Sequence, residues 1–257
     1  MESLSPNRML KSKNIFLSPD VWALISFFIM VFIMGLIKIY SPDLGFHLRS
    51  ARWIIENKQF IYADSFSYVS QGNKYYDLQW LFQLLIYSLY NTGGDTLLVI
   101  VNALLITIAL ILVWFRFLKN TEIDKRLTYT GFFALAAILF VQPLTFEIRP
   151  HVLSWIFLNG ILFFLESYKR GNKKSLIILP VIMLLWANTH SLAILGLVTI
   201  AIYNTGIYFE RKKTDKRLLL FSGLSLAAFL INPYFIDGLL YPFSQFGIIS
   251  GNSLLKS

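Results

Sequence analysis

The sequence predicts an all-α fold, a polytopic bundle of transmembrane helices. Hydrophobic residues make up 56% of the 257-residue chain and charged residues only 14%, where a soluble domain would carry about a quarter charged residues. Mean hydropathy is +0.61, and several runs approach the roughly 20 apolar residues that span a bilayer. The Lys and Arg residues gather in short clusters between those runs, the pattern that orients membrane proteins. The formal net charge of +9 is therefore assigned to topology, and nucleic acid is not expected as a partner. With no cysteine in the chain, disulfides and thiolate metal sites are excluded.

Residues 1–20 are expected to be a cytoplasmic tail, polar and basic through Arg8, Lys11 and Lys13. Residues 21–257 form the transmembrane domain. Val21–Tyr40 is a full apolar run with no small-residue cleavage site after it, so it reads as an uncleaved signal anchor. Lys38 near its end can snorkel to the headgroups.

The long polar interval Ser41–Trp80 comes next, within an outer loop expected over residues 41–94. Its aromatic content argues for an ordered segment rather than a disordered one. Asp43 to Ile55 fits an amphipathic helix: Leu44, Leu48, Ala51 and Ile55 form one apolar stripe, with Asp43, His47 and Ser50 on the adjacent face. Such a helix lies along the membrane surface with its polar face toward a cavity above the bundle. Gln71-Gly72-Asn73 signals a turn. Gln79–Thr92 is short for a span and is placed in the outer interface; Gly93-Gly94 ends it.

Further crossings are expected over Asp95–Leu118, Leu127–Gln142, His151–Tyr168, Ser175–Ala187, Ser191–Phe209 and Leu218–Ile231, about seven with the first. The runs beginning at Ser175 and Leu218 are short enough for one to be re-entrant. This topology puts 16 of the 23 Lys and Arg inside: three in the tail, then the clusters around Arg116–Arg126, Lys169–Lys174 and Arg211–Arg217. The unusual polar groups then fall on the outer side: the first loop, Glu147-Ile148-Arg149-Pro150-His151, Asn188-Thr189-His190, and Asn232-Pro233-Tyr234 with Asp237. Four connectors are thus expected to converge on one face, as above an outward-facing site.

Each polar group has a chemical and a plainer reading. Asp43 is placed to act as a general base or to ligate a divalent cation; Ser41-Pro42-Asp43 before a helical run is equally a capping sequence. His47, one turn on, can pair with Asp43 or simply sit at a wet interface. Asp77 can meet a ligand or cap the next helix. Arg149 suits a phosphate, since guanidinium binds phosphate oxygens in a fork; alternatively Glu147 and Arg149 close a tight loop as a pair. Asn188 and His190 lie near membrane depth, where polar groups face a cavity or a partner. His47, His151 and His190 are the only histidines, but no dense spacing such as HExxH joins them into a zinc motif. Walker A, GxGxxG, GxSxG and DxD patterns are absent.

The segment SPDLGFHLRSARWIIENKQFIYADSFSYVSQGNKYYDLQWLFQLL resembles the first outer loop of multi-spanning GT-C-type glycosyltransferases, and EIRPHVLSW, LLWANTHS and INPYFIDGLLYPF resemble later segments of the same proteins. The likeness runs over about Ile39 to Phe243. It implies a GT-C-like fold with interfacial helices in the first outer loop, and a polyprenyl-phosphate-linked sugar as donor. It also implies transfer to a glycan, lipid or protein acceptor on the outer face of the membrane. The family's catalytic carboxylate falls on Asp43. His47, Arg49, Asp77, Glu147, Arg149, His151, Asn188 and His190 become candidate substrate contacts, with no cofactor assigned and a divalent metal ion left open. Many relatives carry paired acidic residues where Asp43 is followed by Leu44 and Gly45. They are also usually longer, so a shortened or N-terminal form is expected. The apolar runs and basic clusters lead to the expectation of an integral, multi-pass protein, placed in the plasma membrane, with a cytoplasmic N-terminus. The alternative is a non-catalytic carrier or scaffold for lipid-linked glycans on the same fold. A secondary transporter would need polar residues at mid-membrane rather than on one face.

Overall fold

The computed structural model describes residues 19–39, 41–119, 131 and 147–251, and among them the chain is all-helical apart from one isolated β-bridge. The helices are α1 (Pro19–Gly35), α2 (Leu44–Asn57), α3 (Trp80–Lys119), α4 (His151–Lys169), α5 (Ile178–Ala187), α6 (Ile194–Arg211), α7 (Lys216–Phe229) and α8 (Phe235–Gly251). Short 3₁₀ turns, Lys173–Ile177 and Ser191–Ala193, lead into α5 and α6. Among the described residues three helical stretches are long and apolar enough to cross a membrane: Trp80–Arg116, His151–Lys169 and Ser191–Arg211.

The remaining expected crossings fare differently. α1 stops at Gly35 and residues 36–39 are non-helical, so the run expected to Tyr40 gives a 17-residue helix. The short runs at Ser175 and Leu218 give α5 and α7, of 10 and 14 residues. At 1.5 Å per residue these reach about 15 and 21 Å, short of an apolar core about 30 Å thick. Residues 1–18 of the tail and, apart from Gly131, the Leu127–Gln142 run lie outside the described residues, and α1 takes in the tail's last two residues. α8 is an additional helix, which the spacing of apolar residues around Asn232-Pro233 did not single out.

α3 holds 40 residues, about 60 Å if straight and roughly twice the apolar thickness of a bilayer. It is not straight. Gly94 takes φ 61° and ψ −155°, a region open essentially to glycine alone, and the helix kinks there. The expected break at Gly93-Gly94 is therefore real, and Trp80–Gly93 forms a helical segment distinct from the span that follows.

The main core lies among α4 to α7, where Ile161, Leu165, Leu179, Met183, Trp186, Ile200, Leu218 and Phe229 are buried together. Gly196 makes part of this packing possible: a Cβ there would fall 2.6 Å from Met183 Sδ and 2.9 Å from Trp186 Cζ3. Close approach at small residues is how helices pack when lipid removes the hydrophobic drive between them. Smaller clusters join α1 to α3 through Phe27, Val31 and Ile106, and both halves of α3 to Ile148 through Phe82, Ile86 and Leu98. Outside these clusters large apolar side chains face outward along α6, α7 and α8, among them Ile202, Leu220, Ile236 and Phe243. So much exposed apolar surface is foreign to a soluble monomer and ordinary against lipid.

Polar contacts sort the helix ends into two groups. Arg116 pairs with Glu166 (2.6 Å), Lys169 with Glu210 (2.7 Å), and the Tyr168 hydroxyl donates to Asp215 (2.8 Å). These gather the ends of α3, α4 and α6 with the start of α7, all next to the basic clusters. At the other end Arg149 meets Asp43, Lys74 meets Asp237, Trp80 donates to Asn188, and the Tyr234 hydroxyl donates to the Ile61 carbonyl. The four polar connectors converge, as the sequence predicts.

Candidate functional site

The convergence encloses a cavity of about 400 Å³, lined by Asp43, Phe46, His47, Gln79, Arg149, Pro150, His151 and His190. All three histidines of the chain are in that lining.

Asp43 stands at the start of α2, where its carbonyl accepts from the His47 N–H at 3.0 Å. Its side chain makes no capping bond. Instead Oδ2 lies 2.9 Å from Arg149 Nη2. Arg149 Nε is also 2.6 Å from Glu147 Oε2, an ionic contact without hydrogen-bond alignment. The guanidinium thus sits between two carboxylates, the buried Glu147 behind it and the half-exposed Asp43 in front. Both of the plainer expectations for this region met the same residue: the Glu147–Arg149 pair forms, while Asp43 spends its side chain on Arg149 rather than on a cap. Pro150 then opens α4 with its fixed φ, and its carbonyl accepts from the Ser154 N–H. The N-terminal end of α4, favourable to negative charge, faces the same cavity.

α2 begins where expected and packs inward most of its expected stripe, widened to take in polar residues. The apolar stripe was expected to include Ile55; the structure exposes Ile55 and buries His47, Ser50, Ala51 and Ile54, with Leu44 and Leu48 at the edge of the Phe82 cluster. The buried part of the polar face is packed against α3, with the His47 ring on Phe82. His47 is 4% exposed and packs edge-on to Phe82 and Phe46, at 5.4 and 5.7 Å between ring centres. Its Nδ1 is buried without a partner. Burial lowers its pKa to about 4; Asp43 opposes the shift and Arg149 adds to it.

His190 ends the α5 connector in an extended conformation. Its Nδ1 is 2.7 Å from Ser154 Oγ, which in turn accepts from Trp186 Nε1 at 2.8 Å. Burial, with His151 and His47 nearby, lowers its pKa to about 4. His151 occupies the first turn of α4 with its ring 4.9 Å from Trp155.

The expected site residues divide accordingly. Asp43, His47, Arg149, His151 and His190 come together around the cavity, and Glu147 braces Arg149 from behind. Three others do not line it. Arg49 is exposed on α2. Asp77 is 2% exposed, its Oδ1 accepting from Gln83 Nε2 (2.9 Å) and the Gln79 N–H (3.3 Å); burial raises its pKa to about 6. Asn188 is consumed as a staple, accepting from Trp80 Nε1 at 2.9 Å and donating to the Leu184 and Ile231 carbonyls. Gln79, Phe46 and Ser154 went unforeseen. Ser154 was within reach of the helical period, three residues after His151 and so on the same face.

Beside the cavity runs a larger apolar groove of about 730 Å³, walled by Phe60, Trp80, Leu81, Leu184, Leu185, Leu230, Ile231 and Phe235, with Asn188 among them. The same two connectors serve both spaces: Gln79 and His190 line the cavity, Trp80 and Asn188 the groove. The loop before them is held down by an antiparallel bridge between Ala63 and Lys74 and by Asp64, which accepts from the Phe66 and Ser67 N–H groups and the Ser70 hydroxyl. The turn expected at Gln71-Gly72-Asn73 is present, with Gly72 at φ 82°.

Among the described residues no three His, Asp or Glu side chains gather closely enough to hold a metal ion. No family model, curated protein or solved structure matches this chain.

Proposed function

We propose that the chain is a multi-pass membrane glycosyltransferase of GT-C type, moving a sugar from a polyprenyl-phosphate donor to an acceptor hydroxyl on the outer face of the plasma membrane. In this reading the cavity end faces outward and the basic end inward, with about seven crossings in all. The observation that supports it is the Asp43–Arg149 contact in a polar cavity, with an apolar groove sharing the same connectors.

A polyprenyl phosphate is a charged head on a long apolar tail, and the two spaces match that division. The donor's phosphate takes Arg149 in place of Asp43, which leaves the carboxylate free beside the acceptor. Asp43 then removes the acceptor's hydroxyl proton, the oxygen attacks the sugar's anomeric carbon, and the carbon–oxygen bond to phosphate breaks. Polyprenyl phosphate leaves with the bonding pair, its charge met by Arg149. Glu147 holds the guanidinium in position through both steps.

The test uses the full chain in liposomes with polyprenyl-phosphate-linked sugars and a membrane extract as acceptor source. Wild type should release polyprenyl phosphate, and Asp43→Asn should lower the rate by roughly two to four orders of magnitude, the usual loss on removing a general base. Thermal stability should hardly move, because an exposed ion pair is worth about 0–1 kcal/mol. Donor binding without release would favour the carrier alternative; absence of binding would sink both.

A further inference from the structure

We propose that Ser154 is a positioning residue that fixes His190 as a neutral hydrogen-bond donor, its Nε2–H presented to the cavity. The assignment follows from counting protons. Trp186 Nε1 can only donate, so at 2.8 Å the Ser154 oxygen is its acceptor. That leaves the Ser154 hydroxyl proton, and His190 Nδ1 is 2.7 Å away. Were Nδ1 to carry the proton instead, Ser154 would accept twice and its own hydroxyl proton would lose this partner in a buried position, since Ser154 is 4% exposed. Nδ1 is therefore the acceptor, and the ring's single proton belongs on Nε2.

Position reinforces the tautomer. The His190 N–H donates to the Trp186 carbonyl at 3.0 Å, so ring and indole are tied at both backbone and side chain. Trp186 is fully buried in the main core, held there by the close approach of Gly196. Ser154 is in the first turns of α4, four residues after Pro150, and cannot shift without moving Arg149's anchor. The chain Trp186–Ser154–His190 thus runs from the rigid core to the cavity wall. A donor held in this way suits an oxygen carrying negative charge, and the identity of that oxygen as the donor lipid's phosphate rests on the function proposed above.

The full chain labelled with ¹⁵N-histidine, in lipid nanodiscs near pH 7, tests this directly. Three histidines give three ring systems, and a His190→Gln sample assigns the one in question. Wild type should show His190 with a bare Nδ1 and a protonated Nε2. Ser154→Ala should lose that single tautomer, and Ser154→Thr, which keeps the hydroxyl, should restore it. An Nδ1–H tautomer or a charged ring in wild type would overturn the proposal, and this reading decides the matter even if Ser154→Ala fails to fold. So would an unchanged tautomer in a folded Ser154→Ala. Farnesyl phosphate serves as the ligand probe: its addition should shift the Nε2 proton, and Ser154→Ala should bind it about tenfold more weakly, the low end for a hydrogen bond to a charged group. The expected tautomer with no response to farnesyl phosphate would uphold the role of Ser154 and count against the lipid-phosphate reading alone.

Discussion

Arg149 Nη2 stands 2.9 Å from Asp43 Oδ2, joining the start of α4 to the start of α2 across 106 positions of sequence. The guanidinium's Nε is turned to Glu147, so its planar fork serves two carboxylates at once. Lysine keeps the charge and lacks the fork. Arg149→Lys is expected to weaken the apparent affinity for a polyprenyl-phosphate donor by roughly ten- to a hundredfold, the loss of one charge-assisted bond. Thermal stability should change little. Titration of the donor into protein-containing liposomes measures the first and a melting curve the second; unchanged donor affinity would make Arg149 a purely structural link.

His47 occupies a position where phenylalanine would pack better. Its ring meets Phe46 and Phe82 edge-on, and its buried Nδ1 has no partner, a loss of order 1–3 kcal/mol. A group kept at such a cost points to function. The pH sign follows from its lowered pKa, 6.5 unfolded and about 4 folded. Above pH 6.5 both states are neutral; between 6.5 and 4 the unfolded chain takes up the proton first, so stability falls as the medium is acidified. His47→Phe should raise the melting temperature at pH 7 and make the acid-induced loss in that window smaller. His190, whose pKa is lowered alike, adds a contribution of the same sign, and Asp77, whose pKa is raised, one of the opposite sign. Activity should be lost. A variant less stable at every pH would show that His47 holds a bond the apolar ring cannot replace.

Much of this arrangement was legible in the chain, and the parts that were not share a cause. Glycine gave the break at Gly94 and the turn at Gly72, because both need a backbone that other residues resist. Basic clusters and polar connectors gave the two ends of the bundle, because charge and membrane depth are read residue by residue. Burial inside the loop was only partly legible. The period of α2 turned Leu44, Leu48 and Ala51 inward as expected, but Ile55 is exposed, and packing against α3 buries His47 and Ser50 alongside the stripe. Asp77 and Asn188, polar and suggestive in isolation, are used up in holding Gln83 and Trp80. Those are contacts over long separations, which no local period encodes.

Sidedness can be read with single cysteines, since the chain has none of its own. Asn73 is at the exposed turn of the loop and Lys173 at the exposed start of the 3₁₀ turn before α5. With the cavity end outside, a membrane-impermeant thiol reagent should label Asn73→Cys in intact cells and leave Lys173→Cys untouched until the membrane is opened. The reverse pattern would turn the cavity to the cytoplasm and remove an outward-facing transfer from consideration.

Asp77 offers the cleanest separation of a structural carboxylate from a catalytic one. Both its oxygens are buried; Oδ1 accepts from Gln83 and the Gln79 N–H, while Oδ2 has no partner. Burial raises its pKa from 3.8 to about 6. The folded chain therefore keeps the proton between those values while the unfolded chain gives it up, and stability falls as pH rises through that window. Each pH unit of the gap is worth about 1.4 kcal/mol. Above pH 6 the charge stays buried, eased by the two bonds to Oδ1 but with Oδ2 unpartnered. Asp77→Asn keeps the accepting oxygen and removes the charge, so the melting temperature near pH 7.5 should hold or rise, and, with this opposing contribution gone, the rise in stability that the histidines give between pH 4 and 6 should steepen. Sugar transfer should remain within a fewfold of wild type, in contrast to Asp43→Asn. A variant with normal melting and a rate reduced by orders of magnitude would move the reacting carboxylate from Asp43 to Asp77, and the site from the cavity wall to the start of α3.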